Sequence, residues 1–434
     1  MARSVLRRTM SSLPKHNPYF QIGGKDIWSL VNETAASRES LTGKKTVNLG
    51  QGFFSYSPPP FAIQAAKEAL DVPAFNQYAP PRGRPELIGS LIEAYSSYYP
   101  EKLTPSQIMV STGANEGMLS MFLAFLTPGD EVVVFEPFFD QYISNIEIPG
   151  GKVVYVPLHP PQCFDQETVN SSDWKINFTE LENSINERTK MIVLNTPHNP
   201  IGKVFSRDEL QRIGDICVRN NIIILADEVY ENLYYKEHIK MATLSPEISR
   251  LTVTVGSAGK SFAATGWRIG WLIGHKDLIS VACLAHTRIC FASPSPLQIA
   301  CASALRTAKS VGYFEETRKQ YTYKYKILTD VFDKLGLPYT IAEGGYFLLV
   351  NFKKLKFPDS VEFPEEIQNK PRDFKLCYWL IQEFGVVSIP PTEFFIEEHK
   401  MVVKDCLRFA VCKDDQMLRE AARCLERLKD YIQY

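Results

Sequence analysis

In the stretch SAGKSFAATGWRIGW, residues 257–271, one lysine stands among small residues, with an arginine eight positions on. Lys260 is flanked by Ala258, Gly259, Ser261, Ala263 and Ala264, which leave room for a flat group to lie close to the backbone. GKS at 259–261 resembles the end of a phosphate-binding loop, but that pattern needs a glycine where Thr254 stands, and it fails. A lysine just after a strand suits other chemistry: a Schiff base with an aldehyde cofactor, its amine kept neutral and nucleophilic in a partly apolar site.

Pyridoxal phosphate is the common aldehyde of this kind, and it sets further demands. An acid must face its pyridine nitrogen; NIIILADEVY supplies Asp227 at the carboxyl end of a very apolar run, where a carboxylate is costly without a cationic partner. Tyr230, three residues on, is placed to reach the phenolic oxygen. A phosphate cradle is offered by STGANEGMLSMFL, where Gly113, Ala114 and Asn115 form a turn between a strand and the first turn of a helix. Ser257 and Arg268 bracket Lys260 and offer a hydroxyl and a guanidinium to the same phosphate. Phe139 in EPFFDQY can stack on the ring, and Asn199 in NTPHNPIG can donate an amide to the phenolic oxygen. Taken singly, a glycine turn, an Asp-Glu pair or a core phenylalanine is commonplace; their coincidence carries the reading. His198 is expected to be structural, because Lys260 itself can shuttle the proton.

These residues must be positioned by a large fold. At 434 residues, 45% hydrophobic and 22% charged with a net charge of -1, the chain has the composition of an ordinary globular protein long enough for two packed units. No bulk charge draws it to nucleic acid or membrane. Its longest apolar stretch, 118–126, is far shorter than the ~20 residues of a spanning helix. Nine scattered cysteines, none in a C-x-x-C spacing, read as reduced thiols of an intracellular compartment. The first 20 residues hold Arg3, Arg7 and Arg8 and no acid, the composition of a mitochondrial leader, with Met10 a possible start of a shorter cytoplasmic form. From about residue 105, short β-branched runs alternate with helical ones, which predicts an α/β architecture with a mostly parallel central sheet. A large domain is expected over 61–324 and a smaller α+β domain over 21–60 and 325–434.

In order along the chain, the GAN turn, HNPIG with Asn199, Asp227 and Tyr230 of DEVY, and the S-x-x-K-S-x-x-x-x-G-x-R run resemble the class I aminotransferases of pyridoxal-phosphate fold type I. The resemblance covers nearly everything beyond the leader. NLGQGFFSYSPPP, NQYAPPRG, EPFFDQY and NTPHNPIGKVF are most similar to kynurenine aminotransferases, including fungal ones, which are related to glutamine transaminase K and cysteine-conjugate β-lyase. That resemblance implies that Arg408 grips the substrate α-carboxylate and that Asn195 lies near it. It implies that Gly52 meets substrate through its backbone and that Trp28 and Phe291 wall the side-chain pocket. It also implies that Tyr78 reaches the phosphate of a neighbouring subunit, hence a homodimer with shared active sites. Ala292 departs from the histidine of animal members. The implied reaction is ping-pong transfer of the amino group of L-kynurenine, or another large neutral or aromatic amino acid, to a 2-oxo acid such as 2-oxoglutarate. β-Lyase activity, a glutamine, aromatic or alanine donor, and a non-catalytic cofactor-binding regulatory domain are the competing readings.

Overall fold

The computed structural model describes Asn17, Tyr19, Phe20 and residues 26–433, so the expected leader lies almost wholly outside the described residues. The short β-branched runs between residues 105 and 274 join one eight-stranded sheet. In spatial order it comprises Ile108–Ser111, Gly270–Gly274, Thr252–Ser257, Ile223–Asp227, Thr189–Asn195, Glu131–Glu136, Lys152–His159 and Lys175–Ile176. The central five pair in parallel, whereas Gly270–Gly274 runs against both neighbours and Lys175–Ile176 closes the far edge antiparallel. Four of these five, all but Lys152–His159, are buried nearly throughout, as strands covered on both faces are, which is why their sequences are apolar rather than alternating.

The register sets what the sheet displays. Asn195 lies opposite Asp227, Asp227 opposite Val255, and Gly270 between Ser257 and Ser111. The turns after these strands therefore emerge at one edge, the edge where open α/β sheets place their ligands. Local signals define the helices that return the chain. Ser206 and Glu209 form a reciprocal capping box on Arg207–Asn220, and Asn221 ends that helix in the left-handed region.

A second sheet orders Cys406–Ala410, Phe347–Asn351, Tyr339–Ile341 and Val169–Asn170, with Leu349 opposite Arg408. Val47–Asn48 pairs with Val386–Val387, and the Ala410 N–H donates to Leu49 O at 2.6 Å. Residues 47–53 are thereby laid across the strand that bears Arg408. The helix Tyr313–Leu335 spans residue 324, where the sequence suggested a domain limit. All nine cysteines are free.

Candidate active site

Strand Thr252–Ser257 ends in a single helical turn, Ala258–Ser261, that presents Lys260. Its Nζ donates to the Tyr346 hydroxyl at 2.8 Å and lies 5.8 Å from the centre of the Tyr230 ring. Burial is the main cause that holds the amine down to about 8, with the positive charges of Arg408 and Arg268 adding to it and Cys412 and Asp227 opposing it. About one such amine in ten is neutral at pH 7, several hundred times the fraction of an exposed lysine.

Asp227 ends its strand facing the same cavity. It accepts a short hydrogen bond from the Tyr142 phenol and one of 3.3 Å from the Val229 N–H. Burial raises it to about 6 against those donors, and among the described residues no cation makes an ion pair with it. The cationic partner that the sequence demanded is thus not another side chain of the described chain. Tyr230 is buried beside it, its phenol pushed up by desolvation.

Gly113 adopts φ +83° at the start of helix Ala114–Phe125, a conformation open to glycine. A Cβ there would come within 2.5 Å of Arg268 Nη2, so the guanidinium lies directly on the turn. Arg268 is itself left-handed at φ 53° and is anchored by Nη1 to Thr265 O at 3.1 Å. The first-turn N–H groups of Ala114 and Asn115 have no intrahelical acceptor, so turn and guanidinium together form an anion cradle. Asn115 Oδ1 is held by Asn145 at 2.8 Å. Ser257, Phe139, Asn195 and Asn199 line the same cavity.

Arg408 is 2% exposed, yet no carboxylate among the described residues pairs with it. Nη1 donates to Asn199 Oδ1 at 3.1 Å and Nη2 to Gly50 O at 3.0 Å, while Nε has no partner. Phe347, Phe394 and Trp28 surround the guanidinium at 4.2, 4.9 and 5.5 Å from their ring centres. Burial brings it down to about 10. An unpaired buried cation with an idle N–H is suited to receive an external carboxylate. Asn195 braces this corner, its Nδ2 on Asp227 O at 2.9 Å and its Oδ1 accepting from Asn199 N at 2.8 Å.

Two anticipated residues lie apart. Tyr78, 87% exposed, and Phe291, 50% exposed and at φ 66°, pack edge to face at 5.3 Å on the surface of the single chain rather than in the cavity. Trp28 faces Arg408 and donates from Nε1 to Asp140 at 3.3 Å. Gly52 presents its carbonyl to the Tyr346 hydroxyl at 2.9 Å. Sequence reading missed Tyr346 altogether, and Tyr142 as the donor to Asp227. Neither carries a local signal, since each acts through a partner about 85 residues away.

The site thus joins a partly neutral amine, a glycine turn under a guanidinium, a buried acid and a buried arginine with no carboxylate partner among the described residues, equipment suited to moving an amino group. Comparison with known proteins points the same way. The model of the family "Aminotransferase class I and II" matches residues 44–425. The chain is 57% identical over 422 residues to the Saccharomyces cerevisiae protein named "Probable kynurenine--oxoglutarate transaminase BNA3", covering 96% of this chain and 95% of that one. It is 34% identical to the kynurenine–oxoglutarate transaminase of Dictyostelium discoideum, over 99% of this chain and all of its relative. The crystal structure of Bna3p superposes with a TM-score of 0.92 over 94% of this chain and 97% of that one, at 57% identity. YbdL of Escherichia coli, identified as a methionine aminotransferase, superposes with a TM-score of 0.83 at 26% identity, over 96% and 100% of the two chains. With the lysine, the acid, the cradle and the arginine assembled on a fold shared over nearly its whole length, the chain belongs to the class I and II aminotransferases.

Proposed function

We propose that the chain is a pyridoxal-phosphate-dependent kynurenine–oxoglutarate transaminase, transferring the amino group of L-kynurenine, and of other large neutral or aromatic amino acids, to a 2-oxo acid. The carrying observation is the convergence of Lys260, Asp227, Asn199, Ser257 and Arg268 on one cavity. These residues fit the cofactor: the Gly113 turn and Arg268 would hold its phosphate, and Asp227 its ring nitrogen. Asn199 and Tyr230 would hold its phenolic oxygen, and Phe139 its face. When bound, pyridoxal phosphate draws electrons from the substrate α-carbon and carries the amino group between the two substrates.

The chain's own residues supply the rest. Arg408 binds the α-carboxylate common to both substrates, with Asn199 and Gly50 fixing its fork. Lys260 Nζ, partly neutral, removes the α-proton and holds it for return. Trp28, Phe347 and Phe394 around Arg408 make the substrate side largely aromatic, which suits a large neutral donor. The names of the two kynurenine–oxoglutarate transaminase relatives support kynurenine as donor and 2-oxoglutarate as acceptor. L-Kynurenine's oxo product would cyclise by attack of its aromatic amine on the 2-oxo carbon, whose oxygen leaves as water, giving kynurenate. The exposed Tyr78–Phe291 pair supports a homodimer in which a second copy covers it, and the basic, acid-free first 20 residues support mitochondrial import.

The test is the visible spectrum of the protein loaded with pyridoxal phosphate, before and after L-kynurenine is added without an oxo acid. Kynurenine should bleach the lysine-bound cofactor's absorption and yield kynurenate. A band that kynurenine leaves intact would send the donor search to other amino acids; the absence of any lysine-bound band would overturn the role of Lys260.

A further inference from the structure

Tyr346 is fully buried where the second sheet meets the cavity, after the Gly344–Gly345 turn and before strand Phe347–Asn351. Four rings confine it: Phe347, Tyr230, Phe54 and Tyr321, at 4.8, 5.1, 5.5 and 6.3 Å between centres. Its hydroxyl touches Lys260 Nζ at 2.8 Å and Gly52 O at 2.9 Å. The direction of both bonds follows from proton counting. A carbonyl only accepts, so the single phenolic proton goes to Gly52, and the phenolic oxygen can only accept from the amine. One Lys260 N–H is thereby committed, while the amine's lone pair stays free for the cavity side.

We infer that the Tyr346 hydroxyl is the seat of the Lys260 amine whenever that amine is not bonded to the cofactor, orienting its lone pair for proton removal. The inference rests on the proposed role of Lys260 and adds a residue that touches the reacting atom. It also explains why residue 52 is glycine. A Cβ there would lie 3.2 Å from Tyr346 Cε2 and 2.9 Å from Phe347 Cζ, pushing the carbonyl off the phenol. The seat is assembled from both ends of the chain, because Gly52 is held in place by the neighbouring carbonyls of Gln51 and Phe53, which accept from Lys413 Nζ at 3.0 and 2.7 Å. The other groups that face the amine are Cys412, Asp227, Arg408, Arg268 and Tyr230, whose phenol also bonds that of Tyr346, and all of them remain when the Tyr346 hydroxyl is removed.

The decisive variant is Tyr346→Phe, checked for folding by circular dichroism. In cofactor-free protein, acylation of Lys260 by acetic anhydride is followed by peptide mass spectrometry from pH 6 to 11. An acceptor favours the charged amine over the neutral one, so its loss should make Lys260 react about threefold or more faster at pH 7 and equally fast at pH 11. In the loaded enzyme, kcat should fall about tenfold with the donor KM unchanged within twofold, and the isotope effect of an α-deuterated donor should grow. An unchanged acylation profile would overturn the inference, even with a reduced kcat, because a merely structural hydroxyl would behave that way. Borohydride reduction of the wild-type protein with pyridoxal phosphate separates the two levels. Marking of Lys260 with no change in the Tyr346→Phe profile sinks this inference alone; failure to mark Lys260 sinks the proposed function with it.

Discussion

Replacing Arg408 by Ala is the perturbation whose size follows most directly from the geometry. Of the five N–H groups of the guanidinium, one on each Nη donates to a neutral acceptor and the Nε one has no partner, all in a buried, aromatic setting that leaves donors for a carboxylate. A carboxylate docked there would make two charge-assisted hydrogen bonds, each about 1.5–3 kcal/mol in such a context. Their loss is partly offset because alanine leaves space for water to solvate the substrate carboxylate. The lower half of the range, about 3–4 kcal/mol, corresponds to a fall of roughly 100- to 1,000-fold in kcat/KM. Since amino and oxo substrates share the carboxylate, both half-reactions should suffer alike, chiefly through KM. Single-turnover kinetics of each half-reaction in separate syringes would measure this directly. Arg408→Lys should recover only part, because a point charge replaces a planar fork. A loss under fivefold in either half-reaction, with the cofactor still bound, would show that another group holds the carboxylate.

Two further outcomes can be checked on the cofactor-free protein. Asp227 is raised to about 6 from an unfolded value near 4, so its protonated form is preferred in the folded chain. Its stabilising contribution is therefore complete below about pH 4 and lost as pH rises to 6, by roughly 3 kcal/mol. In urea unfolding, Asp227→Asn should track the wild type at pH 4 and exceed it by about that amount above pH 6.5; a pH-independent difference would contradict the burial argument. Gly113→Ala forces a side chain into φ +83° and onto the Arg268 guanidinium. It should weaken pyridoxal phosphate binding about tenfold or more, measured by fluorescence titration, with pyridoxal lacking the phosphate much less affected. Equal losses for both ligands would place the phosphate elsewhere.

The sequence by itself determined seven of the sheet's eight strands, all but the short edge strand Lys175–Ile176, and the chemistry of the turns that follow them. Both are written locally, in runs of β-branched residues and in Lys260, Asp227, Asn199 and Gly113 at the ends of such runs. Because strand register brings the ends of neighbouring strands to one edge, residues read separately from 114 to 268 come to share one cavity. Only the tertiary structure decided the contacts that cross from one sheet to the other. Arg408 sits in CLRFA, a strand pattern that says nothing of what its guanidinium faces; the pairing of residues 347–351 and the crossing of residues 47–53 aim it at Asn199 and Gly50. Tyr142 on Asp227, and Tyr346 between Lys260 and Gly52, are likewise invisible in sequence. A hydrogen bond depends on where a single atom comes to rest, to within a few tenths of an ångström, and that is set by the packing of the whole chain rather than by any local pattern.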